Sequence, residues 1–179
     1  MKKIKLSKLE KKIKKKHQYN IYLYKRLAQE AIANNDLKNY TKFLYFYGIY
    51  CSMNKDYTVG LDALKHVCEY SRYLYGEIND LETSALEAIF YYKKKELCMN
   101  YKGYSSKLTC KLNNFTYELL EYYEIISSNI IRNRNKEYDI NEIQTLCYEF
   151  LANIYKDEFN YKEAVRLYQQ LITNAEPLN

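Results

Sequence analysis

Tyr148-Glu-Phe-Leu-Ala-Asn-Ile-Tyr155, followed by Asn160-Tyr-Lys-Glu-Ala-Val-Arg-Leu-Tyr-Gln-Gln-Leu171, is the stretch that decides the fold. In the first part, Ile143, Leu146, Cys147, Phe150, Leu151, Ile154 and Tyr155 recur at three- and four-residue spacing. That period is a helix with one apolar face, running from Ile140. Asn160 with Glu163 has the form of a capping box and opens a second helix over 160–173, with Pro177 beyond it as a stop. The two helices are separated by a few polar residues and must fold back on each other. Ala152 and Ala164 are the small residues that let the two backbones approach, while Tyr148, Tyr155, Tyr161 and Tyr168 fill the space between turns.

The same register appears nearer the N-terminus. Leu44, Tyr47, Gly48 and Cys51 fall on one helix, and Tyr57, Gly60, Leu64 and Val67 on the next. Glycine inside a helix costs about 1 kcal/mol relative to alanine, so Gly48 and Gly60 mark places where a larger side chain would obstruct packing. Gly60 and Ala164 stand 104 residues apart, about three periods of roughly 34. These pairs resemble the tetratricopeptide repeat, with Tyr148 where that family usually has Trp and Ala152 where it has Gly. The middle of the chain, 79–133, is helical in pattern but has no small-residue pair in that register. The long, Tyr-rich helix pairs also resemble the repeat domain of the peptide-sensing quorum regulators of Gram-positive bacteria. Those proteins usually carry an N-terminal DNA-binding or effector domain, and nothing in residues 1–35 looks like one.

The resemblance implies an all-α fold of antiparallel helix pairs stacked as a short tetratricopeptide-like α-solenoid. It also implies that the first helix of each pair lines a concave surface. In the family register the groove positions are Lys42, Tyr45, Ile49 and Ser52 in one repeat and Glu149, Asn153 and Lys156 in the other. Asn153 is the most telling of these, because its amide can both donate to and accept from a peptide backbone.

The remaining helices follow from spacing. Expected segments are 18–33, 36–54, a helix from the 54–56 loop to Leu74, a long one from Asn79, and another over 113–133; 98–111 is ambiguous. Asn79 with Glu82 and Asp139 with Glu142 repeat the capping-box pattern. The total is seven or eight helices. Composition agrees: among 179 residues there are 4 Gly and 1 Pro, too few for the turns a sheet protein needs. Apolar residues make up 47%, enough for a core.

Charge is divided sharply. Residues 1–26 hold eleven of the 28 basic residues and one acid, Glu10, whereas the rest holds 17 basic and 21 acidic residues. The chain therefore reads as a basic N-terminal arm over 1–17 and a single helical domain over 18–179. The arm's Lys11, Lys12, Lys14, Lys15 and Lys16 are the candidates for a polyanion, with Leu9 and Ile13 four apart allowing a short amphipathic helix. Arg is absent before Arg26 and aromatics before Tyr19 if the imidazole of His17 is set aside, so base reading and stacking lack support.

Catalytic chemistry finds no motif. No Gly-rich phosphate loop, G-x-S-x-G or H-E-x-x-H occurs. His66 lies two residues from Cys68, and helical neighbours at that spacing point apart. The five cysteines show no C-x-x-C, so metal-site spacing is missing and each reads as a small core residue in a reducing compartment. No apolar run reaches membrane-spanning length, and the start lacks a signal-peptide core. The expectation is a cytoplasmic, non-enzymatic module, without cofactor or metal, that binds a protein or peptide in a regulatory role. Nucleic acid bound by the lysine arm is the alternative partner, and a homo-oligomer is compatible with either.

Overall fold

The computed structural model describes residues 2–100, 106–134, 140–157 and 160–175, with side chains over 15–99, 106–126, 142–157 and 160–173. These residues form seven helices and no strand: α1 (Lys2–Ala33), α2 (Leu37–Met53), α3 (Tyr57–Tyr75), α4 (Asp80–Asn100), α5 (Ser106–Arg134), α6 (Ile140–Asp157) and α7 (Tyr161–Ala175). The chain divides into two compact units, Met1–Tyr92 and Lys93–Asn179, with the boundary inside α4. The sequence reading draws one domain over 18–179 in their place.

In the first unit α1 packs on α2 and α2 on α3. The separation of an arm at residue 17 has no counterpart in secondary structure, because α1 runs unbroken from Lys2 to Ala33. Lysine is a good helix former and nothing between 2 and 33 interrupts the helix. Tyr24 stacks on Phe46 and Tyr50 at 5.0 and 5.6 Å, His17 meets the Tyr50 ring at 6.1 Å, and Ala28 and Ala31 are buried.

The α2–α3 pair closes as the small residues require. A Cβ on Gly48 would stand 3.0 Å from the Gly60 carbonyl oxygen, and one on Gly60 would stand 2.8 Å from that of Gly48. The buried line of α2 is Thr41, Leu44, Gly48, Cys51 and Ser52, while Tyr40 and Tyr47 stay half-buried. Backbone proximity thus selects small side chains at the contact, and Tyr47 of the expected register lies at its margin. Thr41 is accommodated by donating its hydroxyl to the Leu37 carbonyl at 2.7 Å.

Three connections use one turn. The Asp36 N–H donates to Ala31 O at 2.9 Å, the Asp56 N–H to Cys51 O at 3.0 Å, and the Asn160 N–H to Tyr155 O at 2.8 Å. This is the six-residue closure of the Schellman motif. In the first two turns the residue before the aspartate is left-handed, Asn35 at φ 56° and Lys55 at φ 70°. Each aspartate then serves as N-cap of the next helix. Asp36 accepts from the Asn39 N–H at 3.1 Å and from its side-chain amide at 2.6 Å, which holds the Asp36 carboxyl below its ordinary range.

The capping box of Asn79 and Glu82 forms by half. Asn79 accepts from the Glu82 N–H at 3.2 Å, but the Glu82 carboxylate turns away to Arg72 Nη2 at 3.0 Å and Nε at 3.2 Å. Both charged side chains are buried, with Arg72 2% and Glu82 0% exposed, and Ser71 donates to Asn79 at 2.8 Å beside them. A buried ion pair thus ties α3 to the start of α4. Glu163 likewise goes to Arg166 at 2.9 Å. Asp139 lies outside the described residues.

In the second unit α5 packs on α6 and α6 on α7. Leu112, Leu119, Tyr123, Ile143, Cys147, Leu151 and Tyr155 form its core. Ala152 and Ala164 are 0% and 3% exposed, as their close-contact role demands. The interval between Gly60 and Ala164 contains α4 and α5, one long pair and not the two that three periods of 34 would require. The ambiguous stretch 98–111 resolves at its ends as the close of α4 and the opening of α5, with 101–105, including Gly103, outside the described residues.

Candidate functional site

The residues expected to line a groove on α2 separate on folding. Lys42 is exposed, Tyr45 and Ile49 are half-buried, and Ser52 is 1% exposed against Gly60. Ser52 is therefore removed from the candidate surface: it sits where α2 meets α3, and the tight approach of Gly60 excludes any partner there. Its hydroxyl has no hydrogen-bond partner in this packing.

Tyr45 carries the first unit's candidate face. Its ring meets Phe46 edge-on at 5.5 Å. Burial pushes its phenol up, and the nearby Glu87 carboxylate adds to the rise. Tyr92 is raised in the same way, first by burial and then by Tyr91, Tyr45 and Tyr57. The rings of Tyr91 and Tyr92 lie 5.0 Å apart and those of Tyr57 and Tyr92 6.5 Å apart. Tyr45 on α2 is thus near Glu87 and Tyr92 on α4, and Glu87 and Tyr91 are exposed. Sequence reading missed Glu87 and Tyr91, because the middle helices lacked the small residues that set the register elsewhere. Their four-residue spacing was the available signal.

On α6, Glu149, Asn153 and Lys156 are all exposed and share one face. The Asn153 side-chain oxygen accepts from the Tyr168 hydroxyl at 2.8 Å. That bond orients the amide and leaves its two N–H groups as donors. A shallow cleft lies elsewhere in this unit, between α5, α6 and α7, with Asn113, Tyr117, Tyr148, Arg166 and Gln170 on its walls. Arg166 is braced there by Glu163 at 2.9 Å and Gln170 at 3.4 Å.

Lys15 and Lys16 are exposed, whereas the side chains of Lys11, Lys12 and Lys14 lie outside the described residues. His66 faces Asp62 at 3.8 Å on an exposed surface, and Cys68 is 0% exposed. Cys51 and Cys147 are buried too, and burial pushes the Cys147 thiol up to about 12. Cys98 and Cys110 are exposed, against the expectation that every cysteine is a core residue. Among the described residues no group of three His, Cys, Asp or Glu could hold a metal ion, and no helix is long and apolar enough to cross a membrane. The chain matches no protein-family model, no curated protein and no solved structure.

Proposed function

We propose that this chain is a tetratricopeptide-like binding module that takes up an extended peptide or protein segment along the exposed faces of its first helices. The observation that carries this reading is the exposed face of α6, where Glu149, Asn153 and Lys156 stand together and the Tyr168 hydroxyl orients the Asn153 amide at 2.8 Å. In the proposed register α2 and α4 are the first helices of consecutive pairs. On their accessible faces they carry polar and aromatic groups: Lys42 and Tyr45 on α2, Glu87 and Tyr91 on α4. Tyrosine suits such a face, since its ring gives contact area and its hydroxyl a polar handle. The α6 face offers the same chemistry in Glu149, Asn153 and Lys156. An oriented Asn amide satisfies a peptide backbone without requiring one sequence, and Lys42 and Lys156 favour an acidic residue or a free carboxylate on the ligand.

The test is selection of binders from a random peptide display library on the immobilised full chain, followed by titration calorimetry of the enriched peptides. Deleting one partner of a charge-assisted hydrogen bond costs about 1.5–3 kcal/mol. For peptides seated on α6, Asn153→Ala and Lys156→Ala each weaken binding roughly 10- to 100-fold with helicity intact; for those on α2, Lys42→Ala does the same. Enriched peptides that bind all three variants as tightly as the parent would defeat the reading.

A further inference from the structure

The described side chains of α1 divide into two faces. His17 and Tyr24 meet the rings of Phe43, Phe46 and Tyr50 on α2, and Ala28 and Ala31 are buried on the same side. On the opposite side Lys15, Tyr19, Tyr22 and Arg26 fall in one line, at spacings of four, three and four. All four are exposed, with Tyr19 64% and Tyr22 66% accessible. Lys16 and Lys25, also exposed, flank the line. Arg26 donates from Nε to Glu30 at 2.9 Å, and a guanidinium keeps its remaining N–H donors for an anion. The line belongs to the most basic part of the chain: residues 1–26 hold 11 of the 28 basic residues and one acid. The backbone of α1 carries that segment on one unbroken helix.

We infer that this outer face of α1 binds single-stranded nucleic acid, with Tyr19 and Tyr22 stacking on bases and Lys15, Lys16, Lys25 and Arg26 holding phosphates on either side. The inference is independent of the peptide-binding proposal, which uses α2, α4 and α6. Its ground is the pairing of two exposed rings with cations one turn before and one turn after them. Every base has a π-face, so stacking on tyrosine accepts any sequence, while the phosphates answer the helix's charge. From Lys15 to Arg26 the helix rises about 17 Å at 1.5 Å per residue. That is the length of about five stacked nucleotides at 3.4 Å each. No Phe, Tyr or Trp precedes Tyr19, so the lysine-rich start brings charge and this segment brings the rings. A duplex uses the cations alone, because its bases are already paired and stacked. An anionic membrane needs an apolar helix face for the acyl boundary, and over residues 17–31 that face is taken by packing in the first unit. An acidic peptide supplies carboxylates for the cations and no series of flat groups for the rings.

The experiment is fluorescence anisotropy of the full chain with labelled strands of about 15 nucleotides, within the usual range of single-strand sites. The probes are a mixed-sequence RNA, the same sequence as DNA, and an abasic sugar–phosphate strand of equal length. The expected result is that both intact strands bind at least tenfold more tightly than the abasic one. Tyr19→Ala and Tyr22→Ala each weaken binding to the intact strands roughly 5- to 150-fold and leave the abasic strand unchanged. Tyr19→Phe and Tyr22→Phe, which keep the rings, keep the affinity. Lys15→Gln with Lys16→Gln lowers the slope of log affinity against log salt by about 1.4, at about 0.7 per phosphate contact. Circular dichroism melting of these variants matches the parent, because the substituted side chains are exposed. An abasic strand bound as tightly as the intact ones overturns the inference, as does no binding to any strand. So do alanine variants that bind the intact strands like the parent. Flotation with phosphatidylserine vesicles by a chain that ignores the strands overturns it in favour of lipid. If an alanine variant unfolds, the comparison of intact and abasic strands on the parent still decides the question.

Discussion

Gly60→Ala tests the close contact between α2 and α3. A Cβ at position 60 would stand 2.8 Å from the Gly48 carbonyl oxygen and 2.9 Å from the Ser52 amide nitrogen, with the Ser52 hydroxyl nearer still. Ordinary contact begins at 3.4 Å, so the helices must separate by about 0.6 Å or tilt. Two of the three obstructions are backbone and cannot rotate away. Separation also loosens Leu64, which is 0% exposed and lies against Gly48. Overpacking of this kind costs about 1–3 kcal/mol, and rigid obstacles place this site in the upper half of that range. Alanine's better helix propensity returns about 1 kcal/mol. The net is a loss of about 1–2 kcal/mol, or a fall in Tm of about 2–8 °C for a chain of this size. Urea titration followed by far-ultraviolet circular dichroism measures it. Adding Ser52→Ala restores only part of the loss, since Gly48 O and Ser52 N remain. A urea midpoint equal to or above the parent's would refute the reasoning, for it would mean that propensity outweighs contact and that the backbones are not held together here.

Ala164→Leu overpacks the α6–α7 contact in the same way and costs about 1–3 kcal/mol, read from the urea midpoint. Arg72→Met leaves a buried carboxylate without its guanidinium and costs about 3–5 kcal/mol, whereas Arg72→Met with Glu82→Leu recovers most of it; a double variant as weak as the single one contradicts the account. Under native conditions a maleimide labels Cys98 and Cys110 at once, and Cys51, Cys68 and Cys147 only after unfolding, as mass spectrometry of digests can count. Cys147 keeps its proton in the fold to about pH 12, while the unfolded thiol releases its own from an ordinary value of 9.0. The stability contributed by the neutral buried thiol is therefore full below that value and declines above it by about 1.4 kcal/mol per pH unit. Cys147→Ala removes that part of the slope in urea midpoints taken across the alkaline range.

Helices were legible where apolar spacing and small residues coincided. Gly48 and Gly60 announced the tight α2–α3 contact, because the cost of glycine in a helix is visible in sequence whereas the contact that repays it is not; Ala152 and Ala164 carry no such cost and are found buried on two helices that pack together. Ser52 went astray for the converse reason: a polar residue at a backbone–backbone contact looks like a surface one. Glu82 could be read as the partner of its own helix start, yet the deciding partner, Arg72, lies across the α3–α4 connection, and nothing local signals it. The unbroken α1 was hidden by composition. A lysine run reads as a charged tail, but lysine disfavours neither the helix nor its continuation from a packed segment. The face that joins Tyr45 to Glu87 and Tyr91 needed the fold, since it is assembled from two helices.

The repeated turn bears on how the chain reaches this structure during synthesis. Each turn closes over six residues, from Ala31 to Asp36, Cys51 to Asp56 and Tyr155 to Asn160. The helices it joins are immediate neighbours in sequence, so their contacts close short loops and cost little chain entropy. Folds built from such local pairings form quickly, and a growing chain adds residues at only about 5–20 per second. The α1–α2 hairpin can therefore settle as soon as Met53 clears the ribosome, with α3 joining it once Tyr75 follows, 22 residues later. Assembly would then proceed from the N-terminus in the order of translation, each hairpin shielding its tyrosines before the next is made.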